Sequence, residues 1–442
     1  IFSGSFREGE EAMKYRNDWL INRIRRFYPE DIVQKMLTYR RSESTPEAVI
    51  ADFKNFEQPT HTIPKEDGNY EQAIDQVREW FRPHRILYPI AFPDLRNYPL
   101  KFKPNAEAPW NIEDFKFTPT MRDIDMESES PRFREHLERL EPELGHREIQ
   151  VKEYLRIKWL HGLIPNVRRT FHNLYNEIFT YNRPLVHKIK EGKEPFFKNE
   201  QPKPYFWNTL HARAHVVAED EPDKIRAVFG APKLLLQVEL MFIWALQATY
   251  MNHREQGKLL WGTEIIRGGW RKIYSEIANR NGFLGLDWSQ FDKRLLHEII
   301  LSVHDDIWRT YFDFTRYQPT SFYPRADPKN ANRIERLWKW MSHSILHTPI
   351  LLPNGELWKW DTNGFGSGYQ QTQLMDTFGN AIMVTTLLIS LGINVKAEGF
   401  WIRIQGDDSL IAFYERIYQI YGPTFIGMIS GSAEYYFNAK LN

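Results

Sequence analysis

The chain is 442 residues long, 42% hydrophobic and 15% aromatic, which excludes a disordered polypeptide and leaves room for a large core divided among several subdomains. Its net charge of +1 supplies no global field for a nucleic-acid partner, so any such binding falls to local basic patches. Cysteine is absent, which excludes disulfides, thiolate zinc sites and cysteine nucleophiles.

Residues 1–60 read as helical and charged, with Arg23, Arg25, Arg26, Arg40 and Arg41 set among acids as a solvated face. From Arg82 to Trp110 the sequence is proline-rich yet aromatic, the mark of an extended segment packed across other elements rather than a linker. Residues 131–180 return to helical patterning, with Leu137, Leu140, Leu144, Tyr154, Leu155 and Trp159 as core positions. Residues 182–204, rich in Lys and Pro, read as a loop.

His211 and His215 have the spacing of a zinc helix, but no Glu follows the first and no third ligand is near, so no metal site is expected there. Lys224 and Arg226 begin a short strand and leave it on one face, where Arg213 can join them. A point charge beside a bidentate fork suits a triphosphate; an ordinary surface strand accounts for the same residues.

Phe283 to Ser289 reads as a buried strand ending at Asp287, followed by a helix with Leu295, Leu296, Ile299, Ile300, Val303 and Ile307 on one stripe. An unpaired carboxylate at a buried strand end is expensive, so Asp287 points to a function, whereas Asp292 also reads as an N-cap.

Asn363 to Thr372 is a loop with Gly364, Gly366 and Gly368, leading into a long apolar helix closed by Gly392. Ser367, Thr372, Asp376 and Asn380 form a polar stripe that is either a buried network or, as favoured here, a substrate surface. Near the end, two apolar strands flank Gly406-Asp407-Asp408, adjacent carboxylates on a turn. The tripeptide alone is a common surface turn. Held against hydrophobic strands, the pair calls for a compensating cation, and hard oxygens suit magnesium or manganese.

The longest apolar run, Ala381 to Ile393, is too short and too rich in Thr and Ser to span a bilayer, so no membrane partner is expected. The chain begins with Ile1, and Phe437 to Asn442 shows no evident stop signal, so it reads as a fragment of a longer polypeptide.

Taken together and in this order, these pieces resemble the viral RNA-dependent RNA polymerases. Motif A of that family, Asp-x4-Asp, is matched by Asp287 to Asp292, and motif B by Ser367-Gly368 through Thr372 to Asn380. Motif C is matched by Gly406-Asp407-Asp408 and the basic motif F by Lys224 and Arg226. Tyr88 to Arg96, Asn105 to Trp110 and the version of motif C that continues Ser409-Leu410 resemble the partitivirus group of double-stranded RNA viruses.

The resemblance implies an α+β right hand with fingers and palm, the palm an RRM-like antiparallel sheet backed by helices, and the thumb missing. It implies a helical region at 1–60, fingers at 61–282 with an insertion at 311–362, and a palm split between 283–310 and 363–442. It implies template-directed RNA synthesis with Mg2+ or Mn2+ held by Asp287, Asp407 and Asp408, and Lys440 as the candidate general acid of motif D. Lys224, Arg226 and Arg213 would hold the triphosphate; Asp292, Ser367, Thr372 and Asn380 would complete the nucleotide site, and Gly366 and Gly368 a flexing loop at the template. The implied partners are RNA template and product, NTPs and viral capsid protein, in the virion interior or host cytoplasm. Asp376 departs from the family, standing where many positive-strand enzymes place an Asn that helps read the ribose. A reverse transcriptase is disfavoured by Gln405, where an aromatic residue is usual, and an inactive RNA-binding or capsid component by the presence of all three carboxylates.

Overall fold

The computed structural model describes residues 9–101, 105–111, 131–164, 170–252, 257–325, 327–397, 399–413, 420 and 422–442. The chain divides into two compact units, Ile1–Phe53 with Ala212–Ala227, and Lys54–His211 with Val228–Asn442.

In the first unit the helices Glu10–Ile24, Glu30–Leu37 and Pro46–Lys54 accompany the strand Tyr39–Arg41, which pairs antiparallel with Val216–Ala218. That pairing takes 212–227 out of the sequence-adjacent region 61–282, because backbone partners for Tyr39–Arg41 lie there and nowhere closer in sequence. Arg23, Arg25 and Arg26 are exposed, as a solvated face requires.

The second unit is built around the helix Thr372–Ser390. Its side chains are buried from Leu374 to Leu388 with few breaks, and a helix that is apolar on every side must be surrounded. Against it pack the helices Asn69–Trp80 and Phe425–Phe437 and a three-stranded antiparallel sheet. The sheet order is Trp401–Gln405, Asp408–Phe413, Gly282–Leu286, with Leu410 opposite both Arg403 and Gly285. Backbone bonds from Leu260 to Ile404 and from Ile404 to Lys258 cover one edge.

A second body of helices, Phe171–Glu191, Lys233–Tyr250 and Ala331–His347, packs together beside short strands, of which Ile350–Leu351 runs parallel to Asn208–Thr209. The segment from Arg82 to Trp110 crosses this body as expected, with Ile90, Phe92, Leu95 and Trp110 buried. Among the described residues no helix is long and apolar enough to cross a membrane.

Four expectations are corrected. The stretch 182–204 is not all loop: the Phe171–Glu191 helix runs through Pro184, because Leu185, Val186 and Ile189 bury one face of it. The strand Gly282–Leu286 is half-buried, with Leu284 and Leu286 inward and Phe283 exposed, so Asp287 is not at a buried strand end. The helix after Asp292 breaks at Leu295, whose carbonyl accepts from Gly364 N–H while His297 N–H donates to Thr362. The segment 437–442 does carry a stop signal, Asn438, whose left-handed φ of 48° ends the helix Phe425–Phe437.

Candidate active site

Gln405 faces Asp408 across the last register of the hairpin, which leaves Gly406 and Asp407 as a two-residue turn. Gly406 has φ of 62°, a value glycine adopts without penalty, and the turn needs it. Both peptide groups of Gly406 are tied to the central helix: its N–H donates to Thr377 Oγ1 at 2.8 Å and its carbonyl accepts from Asn380 Nδ2 at 3.0 Å. The turn is thereby fixed in place with Asp407 and Asp408 exposed to solvent.

Asp287 follows the neighbouring strand and is also exposed. Its side chain accepts from Asn442 Nδ2 at 3.0 Å, and its carbonyl accepts from Asn442 N–H. Trp288 turns inward and donates its indole N–H to Asn380 Oδ1 at 2.8 Å. Asp292 lies inside the short helix Phe291–Arg294, whose N-cap residue is Gln290, so the N-cap reading is set aside.

Five carboxylates share this region. Burial and the charges of Asp292 and Asp407 push the Asp376 carboxyl well above its ordinary range. Asp408 is raised by burial and by Asp407 and Asp287. Asp376 Oδ1 is buried without a hydrogen-bond partner. A cavity of about 490 Å³ opens here, lined by Asp376, Asp407 and Asp408 together with Gln373, Arg403 and Trp270. Arg403 is already engaged with Glu276 at 2.6 Å and does not neutralise the aspartates.

The polar stripe of the central helix divides into two. Asn380 is fully buried, and its amide accepts from Trp288 and donates to Gly406. Thr372 donates its hydroxyl to the loop carbonyls of Gly366 and Tyr369, both at 3.1 Å. These two take part in internal hydrogen bonds. Asp376 does face the cavity, and Ser367 is exposed.

The glycines of this loop are closely packed. A Cβ on Gly368 would run into the Phe229 carbonyl oxygen, and one on Gly366 would come to 3.0 Å from the Tyr369 ring. Gly366 is buried, and Phe365 N–H donates to Asp292 carbonyl at 2.9 Å, which ties this loop to the segment after Asp287. From behind, Glu239 accepts from the N–H groups of Gln370 and Gln371 and from Gln371 Nε2.

Lys224, Arg226 and Arg213 belong to the first unit. All three side chains are exposed, with Ile225 buried between Lys224 and Arg226 as strand alternation requires. They converge: burial, then the charges of Arg226, Arg213 and Lys224, lower the pKa of His215. Lys440 is exposed, and its carbonyl accepts from Ser289 N–H at 2.8 Å, which brings its backbone beside the segment after Asp287.

No group of three or more His, Asp or Glu side chains forms a ready-made metal cage among the described residues. The donor set nevertheless fits magnesium, which keeps several waters and takes only one or two carboxylates plus substrate phosphates. Every donor here is a hard oxygen, and Asp408 and Asp376 are each raised by burial and by the charge of Asp407, which a divalent cation would offset.

The mixed helix and strand fold is consistent with a nucleic-acid polymerase domain. The profile of the viral RNA-dependent RNA polymerases matches residues 168–439, and the chain belongs to that family. The RNA-directed RNA polymerase of White clover cryptic virus 1 is 30% identical over 422 residues, which cover 91% of this chain and 65% of that protein. The RNA-directed RNA polymerase of Atkinsonella hypoxylon virus is 26% identical over 283 residues, 53% of this chain and 41% of that protein. The chain thus spans less than two thirds of the length of these relatives.

Sequence reasoning placed Asp376 on the polar stripe but left three other contributors out of the site. Trp288 was visible beside Asp287. Thr377 and Glu239 carried no signal, since their roles depend on tertiary hydrogen bonds.

Proposed function

We propose that this chain carries the centre for template-directed RNA synthesis from NTPs, read as palm and fingers of a right-hand polymerase. The observation that supports it is that Asp376, Asp407 and Asp408 line one open cavity while the charges of Asp287 and Asp292 act on Asp408 and Asp376. Divalent metal bound by Asp287, Asp407 and Asp408 would lower the pKa of a 3′-hydroxyl and neutralise charge on the triphosphate.

The protein's own residues orient the reaction. Asn380 and Thr377 fix the turn that presents Asp407 and Asp408. Asp292, whose charge acts on Asp376, would with Asp376 meet the 2′-hydroxyl, the group that separates ribose from deoxyribose. Ser367 lies exposed on the loop before the central helix as a further contact. Lys224, Arg226 and Arg213 supply the cations for the triphosphate. Lys440 is positioned in sequence to return a proton to the leaving pyrophosphate. RNA template, RNA product, NTPs and viral capsid protein are the partners of this reading, in the virion interior or host cytoplasm.

The test is incorporation of labelled NTPs on a single-stranded RNA template, with magnesium or manganese, using the longest form that the reading frame encodes. Asp407→Asn is expected to retain the fold and lose nearly all incorporation. A folded variant with most of the wild-type turnover would overturn the assignment.

A further inference from the structure

Far along the chain from the carboxylates, the helix Phe171–Glu191 sets Arg183, His187 and Lys190 on one face, at i, i+4 and i+7. Arg333, from the first turn of the helix Ala331–His347, joins them at the wall of a separate cavity of about 200 Å³. Lys329 borders the same cavity, and Asp327 is the acid among its lining residues.

Lys190 is buried, and the contacts it makes are to Tyr317: its Nζ donates to the phenol oxygen at 2.7 Å and lies 5.1 Å from the ring centroid. No carboxylate within ion-pair distance neutralises it among the described residues. Arg333 reaches Glu191 only at 3.8 Å, and Arg183 is exposed, with no side-chain bond or ion pair among the described residues. Burial, with the charge of Arg333, depresses the Lys190 amine to about 7. The neighbouring cations Lys190, Arg333 and Arg183 add to burial in lowering His187.

A core lysine packed on a tyrosine would explain Lys190 alone. It would not explain why three further cations border the same small opening, where each raises the energy of the others. An anion in the cavity relieves all of them at once. Guanidinium forks with an ammonium point charge match phosphate oxygens in both geometry and charge. The volume is below the range of about 300 Å³ and upward typical of whole small-molecule ligands, so it suits a phosphate chain and leaves the remainder outside. Tyr323, exposed at the rim, offers a ring face to that remainder.

We propose that the Arg183–Lys190–Arg333 cavity binds the terminal phosphate chain of a nucleotide or of an RNA 5′ end. The site stands apart from the polymerase reading and needs no metal.

The experiment is isothermal titration of the protein with inorganic tripolyphosphate in EDTA at pH 7. The variants are Arg183→Gln with Arg333→Gln, Lys190→Met, Asp407→Asn, and Lys188→Gln with Lys198→Gln as a charge-matched control. Stoichiometric binding is expected, weakened at least tenfold in the first two variants and unchanged in the last two. The melting temperature of the Arg183→Gln, Arg333→Gln protein should match wild type, which separates lost binding from lost fold. Absence of binding into the millimolar range, or equal weakening in the control, overturns the proposal. A 5′-triphosphate RNA oligonucleotide is then compared with its 5′-hydroxyl twin and with free NTP. Preference for the triphosphate RNA over both supports the site with RNA as its source, and equal affinity for NTP supports it with free nucleotide. Equal affinity for the hydroxyl twin overturns it.

Discussion

Asn380 donates to the carbonyl oxygen of Gly406 at 3.0 Å, and together with the Gly406 N–H bond to Thr377 this ties the turn that presents two aspartates to the central helix. The same amide accepts from the Trp288 indole at 2.8 Å, so a single buried side chain links the segment after Asp287 to the turn before Asp407. The relative placement of carboxylates from two strands therefore depends on a buried residue of the central helix.

Asn380→Ala strands an indole N–H and a carbonyl in the interior. Each buried unsatisfied group costs about 1–3 kcal/mol, so a clear fall in unfolding free energy is expected. Because the effect is on positioning, kcat should fall far more than KM for NTP, and NTP-over-dNTP preference should hold. Steady-state kinetics with both sugars would read this. A selective loss of sugar discrimination with kcat intact would show that Asn380 meets the ribose after all.

Asp376 is the opposite case. Its carboxyl is raised by burial and by Asp292 and Asp407, so the folded chain holds a proton that the unfolded chain releases at ordinary carboxylate pH. Stability is therefore present in acid and is lost as pH rises past the ordinary carboxylate range. Asp376→Asn keeps the shape and removes the charge. In EDTA it should melt higher than wild type at neutral pH and show a flatter pH dependence, and in incorporation assays it should shift the NTP-to-dNTP ratio. Identical melting curves across pH would remove the repulsion argument.

Gly368 tests packing against flexing. A Cβ there meets the Phe229 carbonyl oxygen, a backbone atom that cannot step aside, whereas at Gly366 it meets the edge of a tyrosine ring at 3.0 Å. Overpacking typically costs about 1–3 kcal/mol and more where backbone must move, so Gly368→Ala should unfold at clearly lower denaturant than Gly366→Ala. Equal, small losses of stability with a marked loss of processivity in both would restore a hinge.

The contrast between legible and illegible parts follows from range. The hairpin was readable because alternation, a glycine turn and paired carboxylates are local, and the structure builds that hairpin as Trp401–Gln405 with Asp408–Phe413. The central helix was readable because an apolar run closed by Gly392 is local too. The bonds of Asn380 were not legible because its partners Trp288 and Gly406 lie far off in sequence. Residues 182–191 were misread because Pro184 outweighed the apolar face of Leu185, Val186 and Ile189, and the burial of that face decides the helix. The helix predicted without interruption after Asp292 breaks at Leu295 because Gly364 and Thr362 compete for its backbone, a contact no window of sequence contains.

Glu239 gives the last test, because a pH scan can isolate it. It is fully buried and accepts N–H bonds from Gln370 and Gln371, at 3.1 and 3.0 Å, with a third from Gln371 Nε2 at 2.8 Å. Burial nevertheless outweighs these bonds and raises its carboxyl to about 7. The folded state thus binds a proton between the unfolded value and about 7 that the unfolded state has lost, and stability falls as pH rises across that window. Buried histidines oppose this trend. His297 and His304 are depressed to about 4, so the unfolded chain takes up their protons first and stability rises with pH from about 4 to the ordinary imidazole value. The net slope of the wild type mixes both signs, so the informative quantity is the difference between wild type and Glu239→Gln. Glutamine resembles the protonated acid, so this variant should lack the downward contribution from acid to about pH 7. At pH 8 it should also show weaker incorporation, since an amide cannot serve all three donors that hold the Gln370–Gln371 turn. A difference curve flat across pH 5–8, with full activity, would mean that the carboxylate neither titrates in that window nor positions the loop.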